Sequence, residues 1–147
     1  MAFDTIKHEA QGSNLDALID NDNLSNAYNI LGTVIDNATD LKLYVSGDLR
    51  FTPDAVPTAG TVMKLYLLYA ADGTNYEDGS AGAADAPGAN PVWTFPNRGS
   101  TSAHRISFGN IPIRPQKITP LVRNELGEDC TAVYLNIYGH NKKVGTA

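Results

Sequence analysis

Apolar residues recur at every second position through most of this chain, which is the period of a half-buried β-strand. The cleanest case runs from Leu41 to Phe51. Leu41, Leu43, Val45, Leu49 and Phe51 alternate with Lys42, Tyr44, Ser46, Asp48 and Arg50, predicting one core face and one wet face. Gly47 falls in the apolar register, the mark of a bulge or of close approach by another backbone. Thr131 to Tyr138 repeats the pattern, with Val133, Leu135 and Ile137 facing one way and Tyr134, Asn136 and Tyr138 the other. Thr61 to Ala70 breaks it. Met63, Leu65, Leu67 and Tyr69 form one apolar face, and Val62, Tyr66 and Leu68, with Lys64, form a second. Such a strand is covered twice, by its own core and by a loop, a sister subunit or a larger assembly. The residues alone leave these three open.

Turn chemistry separates the remaining elements. Pro53 and Pro57 break the chain after the first clean strand, and Asp72-Gly73 ends the double-faced one. Residues 75–91 are dominated by Gly, Ala, Asp and Pro and read as a mobile surface loop with no means of making a core. Short strands follow near Val92 to Phe95 and His104 to Phe108. Ile111 to Pro115 is extended but belongs at an edge or in a crossover, because proline cannot donate to a ladder. Ile118 to Arg123 leads into a turn where Gly127 can take a positive φ. Ala27 to Ile35, ended by Asp36-Asn37, is a further candidate.

Seven to eight short strands with no long helix between them predict an all-β fold, an antiparallel β-sandwich or a jelly-roll-like barrel. Residues 1–26 differ in being polar and rich in Asn and Asp. Leu15, Leu18 and Ile19 lie there at helical spacing behind Ser13, enough for one or two helical turns. This segment is expected to be an N-terminal arm, separate from a β-sandwich domain over 27–147. Deleting residues 1–25 is then expected to leave the β body folded. The tail from His140 onward is expected to be loose.

Charge and composition narrow the function classes. The chain has 147 residues, a formal net charge of -5 and no Lys/Arg cluster, a poor match for a phosphate backbone. Nucleic-acid binding is not expected. The N-terminus carries acids early and no apolar h-region, and no apolar run reaches the roughly 18 residues needed to span a bilayer. Synthesis in a cytoplasm without membrane association is the expectation. A single cysteine, Cys130, rules out an intrachain disulfide.

No motif of catalysis stands out, and no catalytic, cofactor or metal residue is assigned. His8, His104 and His140 share no ligand spacing and read as surface or loop residues. Asp20-Asn21-Asp22-Asn23 opens like a calcium loop but lacks the later Gly and Glu, so it reads as a solvated turn. Asp72, Glu77, Asp78 and Asp85 form a second acidic group beside glycines, without a recognised ligand pattern. One alternative is a carbohydrate-binding β-sandwich module, which requires Tyr76, Trp93, Tyr134 and Tyr138 on one exposed sheet face.

Three stretches in order carry a resemblance. They are AGTVMKLYLLYAADGTNYEDG (59–79), ISFGNIPIRPQKITPLVRNELGED (106–129) and AVYLNIYGHNKKV (132–144). Together they resemble small virion structural proteins of tailed bacteriophages, in which a strand ends in a DG-x-x-Y turn and a Pro-flanked stretch precedes a final hairpin. The resemblance spans about two-thirds of the chain, from Asp36 onward. It implies a capsid decoration (cement) protein on the head surface of the virion, with the major capsid protein and its own copies, as a trimer, for partners, and it assigns the second apolar face of the double-faced strand to a sister subunit. A tail, adaptor or fibre-base protein of the virion is the alternative within that group. The residues expected to contact the shell or a sister subunit are Phe3, Ile6, Leu15, Leu18 and Ile19 in the arm, and Met63, Leu65, Leu67 and Tyr69 in the double-faced strand.

Overall fold

A computed structural model describes the backbone of residues 5–8 and 14–145, and side chains over 18–20 and 22–141. The strands are β1 (Thr5–His8), β2 (Asn14–Leu24), β3 (Asn29–Leu31), β4 (Ile35–Asp36), β5 (Tyr44–Pro53), β6 (Val62–Ala70), β7 (Trp93–Pro96), β8 (His104–Pro112), β9 (Lys117–Glu125), β10 (Cys130–His140) and β11 (Lys142–Gly145). One helical turn, α1 (Asn37–Asp40), links β4 to β5. One sheet has the order β2-β10-β5-β8, and the other β3-β9-β6-β7 with β4 also on β9. All pairings are antiparallel, and the two sheets enclose one core. The fold is therefore an all-β sandwich and not a closed barrel.

The alternation seen in the sequence sets the inner faces. Val45, Leu49 and Phe51 of β5 face the core beside Val133, Leu135 and Ile137 of β10. Met63 and Leu65 of β6 meet them from the other sheet with Phe95 and Val122. Gly47 occupies the inner register, and the β5–β8 pairing shifts there, between Val45 and Gly47. Leu41 and Leu43 depart from the expected strand: the ladder starts at Tyr44, and both leucines are exposed. Leu41 adopts φ 50, the left-handed conformation that closes α1.

Pro120 explains why the predicted strand at 27–35 is split. It lies in the centre of β9 and has no N–H to give. β3 pairs with Leu121–Arg123 and β4 with Lys117–Ile118, leaving a gap at Pro120. There the Gly32 N–H donates to the Pro120 carbonyl at 2.8 Å. The expected turn at Gly127 is present with φ 82. Asn124, fully buried, organises that turn. Its Nδ2 donates to the Leu24 and Glu128 carbonyls at 3.0 and 2.9 Å, and its Oδ1 accepts from the Leu126 N–H at 2.9 Å.

Four expectations are corrected. Residues 14–24 form no helical turn. They form β2, an edge strand on β10, and the expected turn at Asp20 to Asn23 is part of it. Four register shifts along this pairing turn consecutive residues inward, so Leu18 and Ile19 are both buried. With Leu24 they belong to the main core. The tail after His140 is also ordered as far as Gly145, with β11 pairing with β1 in a separate two-stranded ribbon. Finally, His104 is a core residue. It stacks on Phe51 with centroids 4.8 Å apart. Its Nε2 accepts the Arg98 N–H at 2.8 Å, which places the ring proton on Nδ1, facing the Ser102 carbonyl at 2.7 Å. Both ring nitrogens thus close the β7–β8 loop.

Candidate functional site

The outer face of the five-stranded sheet is covered by the chain itself. Tyr66 and Leu68 of β6 and Leu121 of β9 form a second buried cluster, packed under Tyr76 and Ala89 of the loop 71–91. Gly79 sits so close that an added Cβ would lie 2.7 Å from Leu68 Cδ1. Backbone acceptors tie the loop down. Asn29 Nδ2 donates to the Ser80 and Asp85 carbonyls at 3.0 and 3.1 Å. Arg123 Nη1 donates to the Ala84 carbonyl and to Asn29 Oδ1, each at 2.9 Å. Arg123 also pairs with Glu125, which binds Lys64 Nζ at 2.7 Å. The second apolar face of β6 is therefore covered by a loop of its own subunit, and the assignment of that surplus to a sister subunit is corrected. The loop has little apolar bulk, but one tyrosine and closely approaching small residues are enough to shield three side chains.

The same loop holds an open depression of about 560 Å³ lined by Tyr76, Glu77, Asp78, Ser80 and Asp85. Glu77 on its lining and Asp72 nearby have structural tasks. Glu77 clasps the end of β6, its Oε2 accepting from the Tyr69 N–H at 3.2 Å and its N–H donating to the Tyr69 carbonyl at 3.1 Å. Asp72 accepts from the backbone N–H groups of Asn75 and Thr74 at 2.7 and 2.9 Å, and from Asn75 Nδ2. These bonds favour the carboxylate and hold its pKa down, to about 2 from 3.8. Because the folded value is depressed, the turn's contribution is present above the unfolded pKa and is lost as pH falls through the folded one. A carboxyl-detected NMR titration should place Asp72 well below the ordinary aspartate value of 3.8. Asp72→Asn should abolish that titration while the core signals stay in place. A midpoint near 3.8 for Asp72 would contradict this turn. Among the described residues, no three His, Cys, Asp or Glu side chains converge as a metal centre requires. Cys130 is buried, which pushes its thiol up to about 12, with Asp54 and Asp129 adding to the shift. Its thiolate is suppressed in the folded chain.

The predicted contact residues are scattered. Phe3 lies outside the described residues. Ile6 is in β1 opposite Val144, and Leu15 is in β2, their side chains being outside the described set. Leu18, Ile19, Met63, Leu65 and Leu67 are core residues with at most 3% exposure. Tyr69 is half-buried, with the Arg114 guanidinium 4.9 Å from its ring centroid. The inward face of β6 thus holds Met63, Leu65 and Leu67 inside the sandwich, and they cannot present side chains to a partner in this fold.

The aromatic row needed for a carbohydrate platform is likewise divided. Tyr76 covers the five-stranded sheet, and Trp93 packs inward, 6.2 Å from the Phe108 ring. Only Tyr134 and Tyr138 share a face, the outer one of the four-stranded sheet. Two residues missed in the sequence join them there. Arg50 lies directly across from Tyr134, its guanidinium 4.1 Å above the ring centroid, and Tyr44 stacks with His140 at 5.7 Å. The signal was present as the wet register of two alternating strands, but their pairing is not readable from either strand alone.

A scan against protein-family models, a search of curated proteins and a search of solved structures find no match to this chain.

Proposed function

We propose that this chain is a structural, non-enzymatic virion component of a tailed bacteriophage, a decoration protein that binds the outer head surface and bridges major capsid subunits. The ordered resemblance over 59–79, 106–129 and 132–144 supplies the class. The observation that carries the assembly role is the β1–β11 ribbon, which among the described residues forms a two-stranded sheet separate from both sandwich sheets. A two-stranded ribbon alone is marginal in water, so it favours a surface to lie on, and a neighbouring subunit or shell supplies one. Many modest contacts repeated by symmetry would then stabilise the assembled state by mass action.

The test is binding to undecorated shells. The purified protein should form a symmetric oligomer, a trimer in this reading, co-sediment with shells and raise their melting temperature. A variant lacking residues 1–8 removes β1 and should lose shell binding while the sandwich stays folded. A folded full-length protein that never co-sediments with shells rejects the proposal. Undiminished binding without residues 1–8 rejects the role of the ribbon.

A further inference from the structure

We infer that the outer face of the four-stranded sheet is a protein-binding surface whose partner presents carboxylates to Arg50 and Arg105. The inference stands whether or not that partner is a capsid subunit. Its starting point is a like-charge pair. Arg50 of β5 and Arg105 of β8 are direct cross-strand partners, an arrangement that is unfavourable in an isolated sheet. One acid answers them. Asp48, 7% exposed, accepts from Arg105 Nε at 2.6 Å and from Asn136 Nδ2 at 3.4 Å. Among the described residues no carboxylate pairs with Arg50. Arg50, Arg105 and Asp48 taken together keep one positive charge, while the exposed Asp20 and Asp22 lie on β2, two strands from β5 in the same sheet.

Both guanidinium groups are oriented in advance. Arg50 is stacked on Tyr134, and Arg105 is held through Nε, which leaves its two Nη groups for a second carboxylate. Their surroundings are of the kind that binds protein. The outward register of β5 and β10 from Tyr44 to Thr52 and from Ala132 to His140 contains Tyr, Arg, Ser, Thr, Asn, Ala and His with the single Asp48, and neither Lys nor Glu. Tyr and Arg are enriched at the centres of protein interfaces, from which Lys and Glu are depleted. A nucleic-acid backbone needs several cations along one track, and this face offers two.

The experiment is a titration of the full chain with short poly-L-glutamate at low ionic strength, followed through the arginine Nε–Hε resonances. The signals of Arg50 and Arg105 should move together and saturate, ahead of Arg98 and Arg114. Arg50→Ala should weaken the apparent Kd roughly tenfold, as loss of one charge-assisted pair would. Arg50→Lys should recover only part of this, because it keeps the charge but loses the fork. Unchanged backbone spectra away from β5 and β10 confirm that each variant is folded. Equal movement of every arginine, or an Arg50→Ala affinity equal to wild type, overturns the inference. Tighter binding of a single-stranded oligonucleotide of equal charge at the same two arginines also overturns it, in favour of a nucleic-acid partner.

Discussion

Gly47→Ala is expected to destabilise the sandwich by about 3 kcal/mol or more, the upper end of what overpacking costs. An added Cβ would be driven into the backbone carbonyl of Asn136 and would lie 2.7 Å from Phe108 Cζ. The first of these neighbours belongs to β10, the central strand paired with β5, and cannot yield without breaking the ladder. Relief requires the sheet itself to shift. For a domain of this size the loss corresponds to a fall of roughly 10 °C in melting temperature. Gly88→Ala is the control, since no atom lies within 4 Å of its added Cβ, and it should stay within about 0.5 kcal/mol of wild type. Thermal unfolding followed by circular dichroism compares the two. Equal melting temperatures would mean that β5 and β10 do not approach as closely as described.

Gly47 also shows what kind of information the sequence carried. A glycine in the apolar register announced a close approach, and the structure supplies the neighbour. The alternation in β5 and β10 was legible because each strand lies between a core face and an outer face, so burial follows the pleat. β2 was not legible for the opposite reason. Its four register shifts break the period of two, and the adjacent buried pair Leu18-Ile19 then imitates a helical stripe. Where a face was covered, the pattern reported the covering but not its source. Tyr66 and Leu68 were read as surplus, yet their cover is a loop of glycines, alanines and one tyrosine whose composition has no apolar signature. The outer face with Arg50 and Tyr134 was hidden differently. Each residue was assigned to the wet register, but cross-strand neighbours depend on sheet order, which no single strand encodes.

Sheet order also decides how the arm can be tested. Removing residues 1–25 deletes all of β2 and is expected to unfold the domain. Leu18, Ile19 and Leu24 leave the core, each worth about 1.5–3 kcal/mol of burial. The loss approaches the whole stability of a typical domain, about 5–15 kcal/mol. Two polar debts add to it. Asn124 Nδ2 loses the Leu24 carbonyl that it reaches at 3.0 Å inside the protein, and the Thr33 N–H loses the Leu18 carbonyl at 3.0 Å. β10 would in addition become a bare edge, open to pairing with other chains. Removing residues 1–8 instead deletes β1 and no other described element, and β1 pairs with β11 outside both sandwich sheets, so the cost should be no more than about 1 kcal/mol. Urea unfolding of the two truncations separates these outcomes. A cooperative transition for the longer deletion, with a midpoint close to that of the full chain, would show that β2 is dispensable to the core. The opposite result makes the shorter deletion the proper probe of assembly, because only there can lost binding be told apart from lost folding.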